Sequence, residues 1–353
     1  MHLLQSIKKR LSGEYSRTIR DLARIKADYL ARYGNKGQFV RYVDEKLRFF
    51  RWKRWLGEDV LKRLGIRRPS WLLGLPSVVA QIDGYDLAKE IHIGENSVRV
   101  GDIRLPKPRE GVDTMVFDAE LGDIVLPFWL RRKMRNFSEE YDHLYGLLSG
   151  HWWIEGPYEI GDDVVLCPGD IVIDCGANMG LFSAVAAQNG CQVFAFEPIP
   201  IVIDNYLSVT ATNYPTISIC RYALWDKKEE LLFKMSSQNI DVATAIAERA
   251  IGQQIDYIDF RVEATTLDDF VEQQGLERVD FIKADIEGAE RNMLQGAQKV
   301  LKHFAPKLAI CTYHLPDDPQ VIRDIIMNAN PDYRIVEKYK KLYAYVPNRK
   351  NSV

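Results

Sequence analysis

The feature that most constrains the fold is a regular alternation of short apolar segments and amphipathic segments beyond Pro168. The apolar segments are rich in β-branched and aromatic residues, as is typical of strands buried on both faces. Predicted strands are residues 171–175, 191–196, 216–222, 279–284, 307–313, 333–338 and 342–346. Predicted helices between them include residues 180–190, 290–304 and 319–330. This pattern predicts an α/β fold with a doubly wound, mostly parallel sheet.

The residues before this pattern differ from it in net charge and in the spacing of their apolar residues. Residues 1–70 hold 19 Lys and Arg against 7 Asp and Glu, so they carry +12, and the remainder carries −2 − 12 = −14. Apolar residues recur there every three or four positions, which predicts a basic helical N-terminal region over residues 1–90. From about Ile91 the sequence predicts two short strands around a Gly-Glu-Asn turn, and residues 113–128 continue in that β-rich style. We therefore predict domains at 1–90 and 91–353, the second with a core at 140–353.

The composition favours a cytoplasmic protein. The longest apolar run, residues 71–80, is far shorter than the roughly 20 residues that span a bilayer. The first residues lack the apolar segment of a secretory signal. The five cysteines are scattered without paired spacing, so we expect reduced thiols and neither a disulfide framework nor a zinc site. Peripheral attachment to a membrane through the basic region is left open.

A glycine loop follows the first predicted strand of the alternating region, in IVIDCGANMG at residues 171–180. A dinucleotide fingerprint would place three glycines at the positions that Gly176, Asn178 and Leu181 occupy, so two of the three are missing. Asn178 can adopt a left-handed backbone. Gly176 and Gly180 keep the loop free of side chains where a ligand must approach the backbone. The alternative is a plain glycine turn in an unligated domain.

Two acids near this loop indicate what the ligand is. Glu197 ends the next strand, 21 residues beyond Gly176, where a carboxylate can accept both hydroxyls of a ribose. Asp174 would repel a pyrophosphate but would suit a cationic amino-acid group. S-adenosylmethionine combines a ribose, an ammonium group and a sulfonium without any phosphate. The sequence therefore favours S-adenosylmethionine over a dinucleotide.

Several stretches of the chain resemble the FkbM-type S-adenosylmethionine-dependent methyltransferases, a family of the Rossmann-like methyltransferase class. They are GDIVIDCGANMGLFS (169–183), VFAFEPIP (193–200), TTLDDFVEQQGLERVDFIKADIEGAE (265–290) and ICTYH (310–314), with EGPYEIGDDVVLCPGD (155–170) similar to the family's lead-in. The resemblance covers about residues 140–350. It implies a Rossmann-like methyltransferase sheet and methyl transfer from the sulfonium to a nucleophile, usually a hydroxyl of a small molecule or sugar.

The expected catalytic residues lie where two neighbouring strands end. Lys283 lies at the end of the fourth strand of the alternating region, Asp285 and Glu287 follow it, and His314 follows the next strand. A hydroxyl acceptor needs a base for its proton, and which of Asp285, Glu287 and His314 serves is left open. These three residues could instead hold a divalent metal, but transfer without a metal is favoured. Glu290 is read as an acid at the positive end of the following helix.

The resemblance also implies the cofactor contacts. Asp174 and Gly176 would face the methionine end, Glu197 the ribose, Ala223, Leu224 and Trp225 the adenine, and Asp226 its exocyclic amine. The full predicted cofactor set is Asp174, Gly176, Ala177, Asn178, Gly180, Glu197, Pro198, Ala223, Leu224, Trp225, Asp226 and Asp285. Cys175 is expected to be a packing residue.

The acceptor and the partners stay open at this level. The stretch 285–288 lacks the Asn/Asp-Pro-Pro-aromatic pattern expected of enzymes that methylate exocyclic amines in DNA, which favours a small-molecule or saccharide hydroxyl. Residues 46–57 interleave basic and aromatic side chains, which suits packing on the catalytic domain or in a homo-oligomer first, an anionic membrane or glycan surface second and nucleic acid third. A nucleic-acid-directed methyltransferase and a non-catalytic binding module are the alternative functions.

Overall fold

The computed structural model describes residues 91–108, 117, 120–132, 155–236, 243–244 and 257–347, with isolated positions between 20 and 51. The chain divides into two compact units, residues 1–91 with 133–154 and residues 92–132 with 155–353. The predicted N-terminal helices and the basic-aromatic segment 46–57 lie outside the described residues apart from isolated positions. Their roles, and the domain boundary at residue 90, stay predictions.

A small three-stranded sheet opens the second unit. It consists of β1 (Ile91–Ile93), β2 (Ser97–Val100) and β3 (Ile103–Pro106), in that order. The sequence predicts only two strands here. A third forms because Gly101 adopts a φ of 57°, which allows a second tight turn between β2 and β3.

The segment after this sheet is helical, so the prediction of β-rich structure up to residue 128 is wrong over residues 121–128. A π-helical turn, Leu121–Val125, continues into α1 (Leu126–Arg131). Leu121, Ile124, Val125 and Phe128 are all buried, and their spacing of three, four and seven residues places them on one helical face. The same turn buries Asp123.

The remaining strands of the described residues are β4 (Ile171–Cys175), β5 (Gln192–Phe196), β6 (Ile217–Cys220), β7 (Ala223–Leu224), β8 (Glu229–Ser236), β9 (Ala243–Thr244), β10 (Tyr257–Thr265), β11 (Phe281–Ala284), β12 (Lys307–Cys311), β13 (Arg334–Lys338) and β14 (Lys341–Tyr345). The central sheet has the order β13-β14-β12-β11-β4-β5-β6. All adjacent pairs from β12 to β6 are parallel, and only β14 runs antiparallel to its two neighbours. The α/β class and the mostly parallel sheet are confirmed.

The order in which the chain adds parallel strands to this sheet reverses between β4 and β11. From β4 the chain proceeds outward to β5 and β6, and it then returns to the other side of β4 to form β11 and β12. In open parallel sheets the crevice at such a reversal, beyond the carboxyl ends of the strands, is where ligands bind. The glycine loop and the predicted acids follow the strands that border this crevice.

A second sheet has four strands in the order β7-β10-β8-β9. The long strands β8 and β10 pair in antiparallel orientation, β9 pairs antiparallel with β8, and β7 pairs parallel with β10. The sequence analysis does not predict this sheet. One of its faces packs against the apolar cluster that contains Ala223, Leu231 and Val262, so its strands lack the continuous apolar segments by which the central strands are predicted.

The helices of the alternating region are α2 (Leu181–Gln188), α3 (Ser208–Asn213), α4 (Leu267–Gln274), α5 (Glu290–Gln295), α6 (Gln298–His303) and α7 (Asp318–Ala329). Pro200–Val202 and the π-helical turn Ile203–Leu207 lead into α3. The single helix predicted over residues 290–304 is divided at Gly296, whose position leaves no room for a side chain: a Cβ there would lie 2.0 Å from the carbonyl oxygen of Trp225. None of the helices in the described part of the chain has the length and apolar character needed to cross a membrane.

Candidate active site

The glycine loop is fixed at the carboxyl end of β4 by its backbone. The amides of Gly176 and Ala177 both donate to the carbonyl oxygen of Phe196 at 3.0 Å, which ties the loop to the end of β5. Gly176 has a φ of 75°, and a Cβ at this position would lie 2.0 Å from the carbonyl oxygen of Asp285. Asn178 adopts the left-handed conformation that the sequence predicts, with a φ of 47°. The loop therefore lies in direct contact with the start of the 285–288 turn.

Glu197 is buried at the end of β5 and holds the other side of the glycine loop. Its two carboxylate oxygens accept hydrogen bonds from the backbone amides of Asn178 and Ile199, each at 3.0 Å. Burial raises the pKa of Glu197 to about 7, although both of these hydrogen bonds act in the opposite direction. The ribose contact of Glu197 stays a prediction, but its contact with the glycine loop is direct.

Asp174 and Lys283 form a buried ion pair between β4 and β11. Their charged groups lie 3.2 Å apart, and the Ser183 hydroxyl donates to the other oxygen of Asp174 at 2.6 Å. Lys283 also donates to the carbonyl oxygen of Gly176 at 2.6 Å. Burial acts to lower the pKa of Lys283, but the charges of Asp174, Asp285 and Glu120 outweigh it and raise that pKa above its usual value. Lys283 is thus a cation that braces the glycine loop; a catalytic role for it stays a prediction.

The imidazole of His314 lies among three carboxylates. Its Nε2 is 3.5 Å from Asp285 Oδ1 and 4.0 Å from Glu287 Oε2, and its Nδ1 is 2.9 Å from Glu290 Oε1. The side chains of His314 and Glu290 are fully buried, whereas those of Asp285 and Glu287 retain 23% and 27% of their exposure. We call these four residues the acidic cluster. The structure therefore brings together the predicted residues Asp285, Glu287 and His314.

The acidic cluster shifts the ionisation of two of its members. Burial acts to raise the pKa of Asp285, but the charges of His314, Lys283 and Lys341 outweigh it and lower that pKa to about 2. Burial likewise acts to lower the pKa of His314, but Glu290, followed by Asp285 and Glu287, outweighs it and raises that pKa to about 9. In the free protein at neutral pH, Asp285 is ionised and His314 carries a proton.

Two tyrosines and one glutamate of the site were not predicted. The hydroxyls of Tyr158 and Tyr313 donate to the two oxygens of Asp285, at 2.8 and 3.3 Å. Glu290 was predicted only as an acid at a helix N-terminus, yet its Oε1 also accepts from the amide of Ile286 at 2.9 Å and faces His314. The signal for Tyr158 was its position in the lead-in stretch 155–170, and that for Glu290 was its place in the DIEGAE motif.

The predicted adenine residues lie beyond the end of β6, in and just after β7 of the second sheet. Ala223 packs in the apolar cluster that contains Ile199, the residue after Pro198, while Leu224 lies in the central core. Trp225 is partly exposed, and its amide donates to the carbonyl oxygen of Thr265 at 2.9 Å. Asp226 is exposed and accepts from the side chain of Asn292 at 3.3 Å. The adenine contacts stay predictions.

The predicted packing residue Cys175 is fully buried at the end of β4. Burial, reinforced by the charge of Asp174, raises the pKa of its thiol above the usual range. A buried thiol of this kind is a poor nucleophile at neutral pH, because the thiolate is the reactive form.

A mostly parallel sheet with a glycine loop at its reversal point, and buried acids where a dinucleotide fold would bind pyrophosphate, defines the Rossmann-like methyltransferase class. Residues 174–342 match the family model described as the methyltransferase FkbM domain. Just under half of the chain therefore matches an FkbM methyltransferase domain, as the motifs predict.

Two curated relatives and one solved structure are similar to parts of the chain. The hexuronic acid methyltransferase AglP of Haloferax volcanii is 23% identical over 160 residues, which are 45% of this chain and 62% of AglP. The AMB antimetabolite synthetase AmbE of Pseudomonas aeruginosa is 29% identical over 168 residues, 38% of this chain and 8% of AmbE. The methyltransferase FkbM of Methylobacillus flagellatus shares 18% identity with a TM-score of 0.41, over 63% of this chain and 58% of that one. The chain thus spans less than two thirds of each.

Proposed function

We propose that the protein transfers a methyl group from S-adenosylmethionine to a hydroxyl of a saccharide or a related small molecule. The observation that carries this proposal is the contact between the glycine loop and the acidic cluster, where the position of a Cβ on Gly176 falls 2.0 Å from the Asp285 carbonyl. A cofactor bound along the loop would have its reactive end beside the carboxylates that follow β11. Donor and proton acceptor would then share one crevice.

The chemistry of the loop supports a nucleoside without phosphate. Each oxygen of Glu197 accepts one backbone hydrogen bond and retains a second acceptor position, so the carboxylate can also receive two ribose hydroxyls. The ionised carboxylate of Asp285 after β11 favours a cationic sulfonium and disfavours a pyrophosphate, whereas Asp174 in β4 is neutralised by Lys283. We therefore assign the loop and Glu197 to S-adenosylmethionine.

The reaction needs one bond exchange and one proton transfer. Bound S-adenosylmethionine would supply the methyl group: its carbon–sulfur bond would break as the acceptor oxygen bonds to the methyl carbon, and the sulfur would leave as a neutral thioether with the bonding electron pair. The acceptor hydroxyl loses its proton to a carboxylate. We assign this role to Glu287, because it is the most exposed member of the acidic cluster and both oxygens of Asp285 already accept tyrosine hydroxyls.

A saccharide acceptor is supported by the surface next to the acidic cluster. The ring of Tyr313 is 37% exposed, and its centroid lies 4.1 Å from that of His314. An exposed aromatic face beside hydrogen-bonding acids is suited to the apolar face and the hydroxyls of a sugar ring. The name of AglP, a hexuronic acid methyltransferase, points to the same class of acceptor.

The test uses S-adenosylmethionine carrying a radiolabelled methyl group and separate saccharide, lipid and nucleic-acid fractions as acceptors. We expect label in the saccharide fraction. Calorimetry should show binding of S-adenosylmethionine but not of nicotinamide dinucleotide. Glu197→Ala should weaken cofactor binding about 10- to 100-fold, the loss of charge-assisted hydrogen bonds. Glu287→Gln should keep that affinity and lower kcat about 100-fold or more.

The exposed Glu272→Gln on α4 is the matched control and should change neither quantity. Binding of the dinucleotide alone would overturn the cofactor assignment. Equal labelling by wild type and Glu287→Gln would overturn the assignment of the proton acceptor.

The net charge of +12 over residues 1–70 supports one competing function, methylation of a nucleic acid gripped by this basic region. Label in the nucleic-acid fraction, with binding that falls steeply as salt is raised, would favour this function. Cofactor binding without label in any fraction would favour a non-catalytic binding module.

A further inference from the structure

The acidic cluster concentrates more negative charge than a proton acceptor needs. Asp285, Glu287 and Glu290 each place a carboxylate oxygen within 4.0 Å of one imidazole. Glu290 is completely buried, and Asp285 and Glu287 retain only 23% and 27% of their exposure, so water screens the repulsion among the three carboxylates only in part. Lys283 and Lys341 supply positive charge nearby, but Lys283 is held by Asp174 and Gly176, and Lys341 by the carbonyl of Gly156 at 2.8 Å.

The polar atoms of the cluster are incompletely satisfied among the described residues. Nδ1 of His314 contacts Glu290 Oε1 at 2.9 Å, but Nε2 of His314 and Oε2 of Glu290 make no hydrogen bond although both atoms are buried. Buried polar atoms in native proteins nearly always have a partner, which can be a bound ion. Asp285, Glu290 and His314 also each offer a ligand atom within 4.8 Å of the others.

The two ring nitrogens of His314 face different surroundings: Nδ1 faces a buried carboxylate, and Nε2 faces two partly exposed carboxylates, which we call the open side. Its Nδ1 faces Glu290, which is itself held by the amide of Ile286, so a small rotation of the ring gives an aligned hydrogen bond. Its Nε2 faces Asp285 and Glu287, the two members with exposed surface. A histidine that binds a metal through one nitrogen usually directs the other to a carboxylate, as this one does.

The spacing on the open side suits ligands of one cation. Nitrogen and oxygen ligands bound at about 2.1 Å lie about 3 Å apart when they are adjacent in an octahedron. The observed 3.5 Å between His314 Nε2 and Asp285 Oδ1 needs only a small closure to reach that spacing. The neighbouring group of Glu155, Asp285 and Cys311 is less suited to a cation of this kind, because Cys311 would supply a soft sulfur ligand instead of an imidazole nitrogen.

We propose that His314 Nε2, once it releases its proton to solvent, and Asp285 bind a divalent cation of the Mn²⁺ type, with Glu290 orienting the imidazole. One imidazole with a carboxylate suits a first-row transition-metal cation better than Mg²⁺ or Ca²⁺, which prefer oxygen ligands alone, and among these cations Mn²⁺ is the one best suited to carboxylate and water ligands. Two protein ligands leave coordination positions for water and for adjacent hydroxyls of the acceptor. The cation would lower the pKa of a bound hydroxyl, whose proton then passes to Glu287.

This inference rests on the proposed function for its role in catalysis, but the cation site can be tested without turnover. The full chain is treated with a chelator, dialysed, and titrated with Mn²⁺ by calorimetry. We expect one equivalent to bind to wild type and none to His314→Gln or Asp285→Asn. Glu290→Gln should bind about 10- to 100-fold more weakly, as for other residues that orient a metal-binding histidine. His303→Ala, which removes an exposed histidine of α6, should bind as wild type does.

Pulsed electron paramagnetic resonance on Mn²⁺-loaded wild-type protein gives a second readout that needs no variant. Chain labelled with ¹⁵N-histidine should show coupling between the Mn²⁺ electron spin and one histidine nitrogen. Binding without this coupling, or equal binding by wild type and His314→Gln, would overturn the site. Methyl transfer that proceeds unchanged in chelator, with no Mn²⁺ binding, would overturn it while leaving the proposed function intact. Histidine-dependent Mn²⁺ binding without methyl transfer to any saccharide would support the site and count against the proposed function.

Discussion

Glu287 is held in a backbone conformation that its side chain disfavours. Its φ is 57°, in the left-handed region, and Gly288 follows with a φ of 99°. A non-glycine residue in such a region costs about 1–3 kcal/mol, which the surrounding structure must supply. The strain directs a carboxylate towards His314, which suggests that the turn is shaped for function at the expense of stability.

We expect Glu287→Gly to abolish methyl transfer while leaving the free energy of unfolding unchanged or raising it by up to about 1 kcal/mol. The gain comes from relief of strain, reduced by the greater freedom of glycine in the unfolded chain. Chemical denaturation and the radiolabel assay measure the two effects on one preparation. A variant that unfolds more readily and retains activity would contradict this account of the turn.

The contacts of Lys283 are those of a structural cation, although the sequence predicts a catalytic role for it. Removing one partner of a buried ion pair leaves the other charge without compensation and typically costs about 3–5 kcal/mol. We therefore expect Lys283→Met to lower the free energy of unfolding by this amount. The double variant Lys283→Met/Asp174→Asn should recover part of the loss, since no buried charge is then left at Asp174. Loss of turnover without loss of stability would instead support the catalytic role predicted from the sequence.

The sequence predicts the charged side chains of the site better than it predicts the residues that form hydrogen bonds with them. Asp285, Glu287 and His314 follow the ends of adjacent strands, so the topology alone brings them together. The contact between Tyr158 and Asp285 joins residues 127 positions apart, and no local pattern encodes it. The sequence predicts Glu290 only as an acid at a helix end. Its burial against His314 depends on how α5 packs, which no local pattern encodes.

The contact between the glycine loop and the 285–288 turn is a property of two elements, β4 and β11, that lie side by side in the sheet. Gly176→Ala tests it, with Gly169→Ala as a matched control. Both glycines have a positive φ, 75° and 86°, but a Cβ on Gly169 would meet no atom within 4 Å. The control therefore isolates backbone strain from the clash with Asp285.

We expect Gly169→Ala to lower the free energy of unfolding by about 1 kcal/mol, the cost of the left-handed conformation. Gly176→Ala should lose about 2–4 kcal/mol, because the backbone clash adds to the same strain, and it should also weaken S-adenosylmethionine binding. Denaturant titration gives the first quantity and calorimetry the second. Equal destabilisation by the two variants would show that the loop can move away from Asp285 freely.

Element prediction succeeded where both faces of an element are buried. The central strands were predicted within one to two residues, because continuous apolar segments between amphipathic helices have few other interpretations. It failed at residues 121–128, a short apolar segment whose spacing fits a helix as readily as a strand. It also missed β8 and β10, which pair with each other beside the central sheet and bury only one face. The antiparallel direction of β14 follows from the short turn after β13, which leaves no room for a crossover.

For the molecule as a whole, buried acids predict how stability depends on pH. Burial raises the pKa of Asp123 from 3.8 to about 6 and that of Glu197 from 4.5 to about 7. Between the two values of each pair the folded protein retains a proton that the unfolded chain has lost. Raising the pH through this window therefore favours the unfolded chain, and the free energy of unfolding falls until both states are ionised.

The expected result is a free energy of unfolding that decreases as the pH rises from about 4 to about 7, with Glu197 contributing roughly 3 kcal/mol at most. Glu197→Gln removes a titrating group, so its curve should be flatter than that of wild type across this window and parallel to it above pH 7. Denaturant titration of both proteins at half-unit steps of pH measures the difference. The exposed Glu272→Gln should reproduce the wild-type slope. Parallel curves for wild type and Glu197→Gln below pH 7 would mean that Glu197 is ionised throughout, and that its carboxylate is already charged when the cofactor arrives.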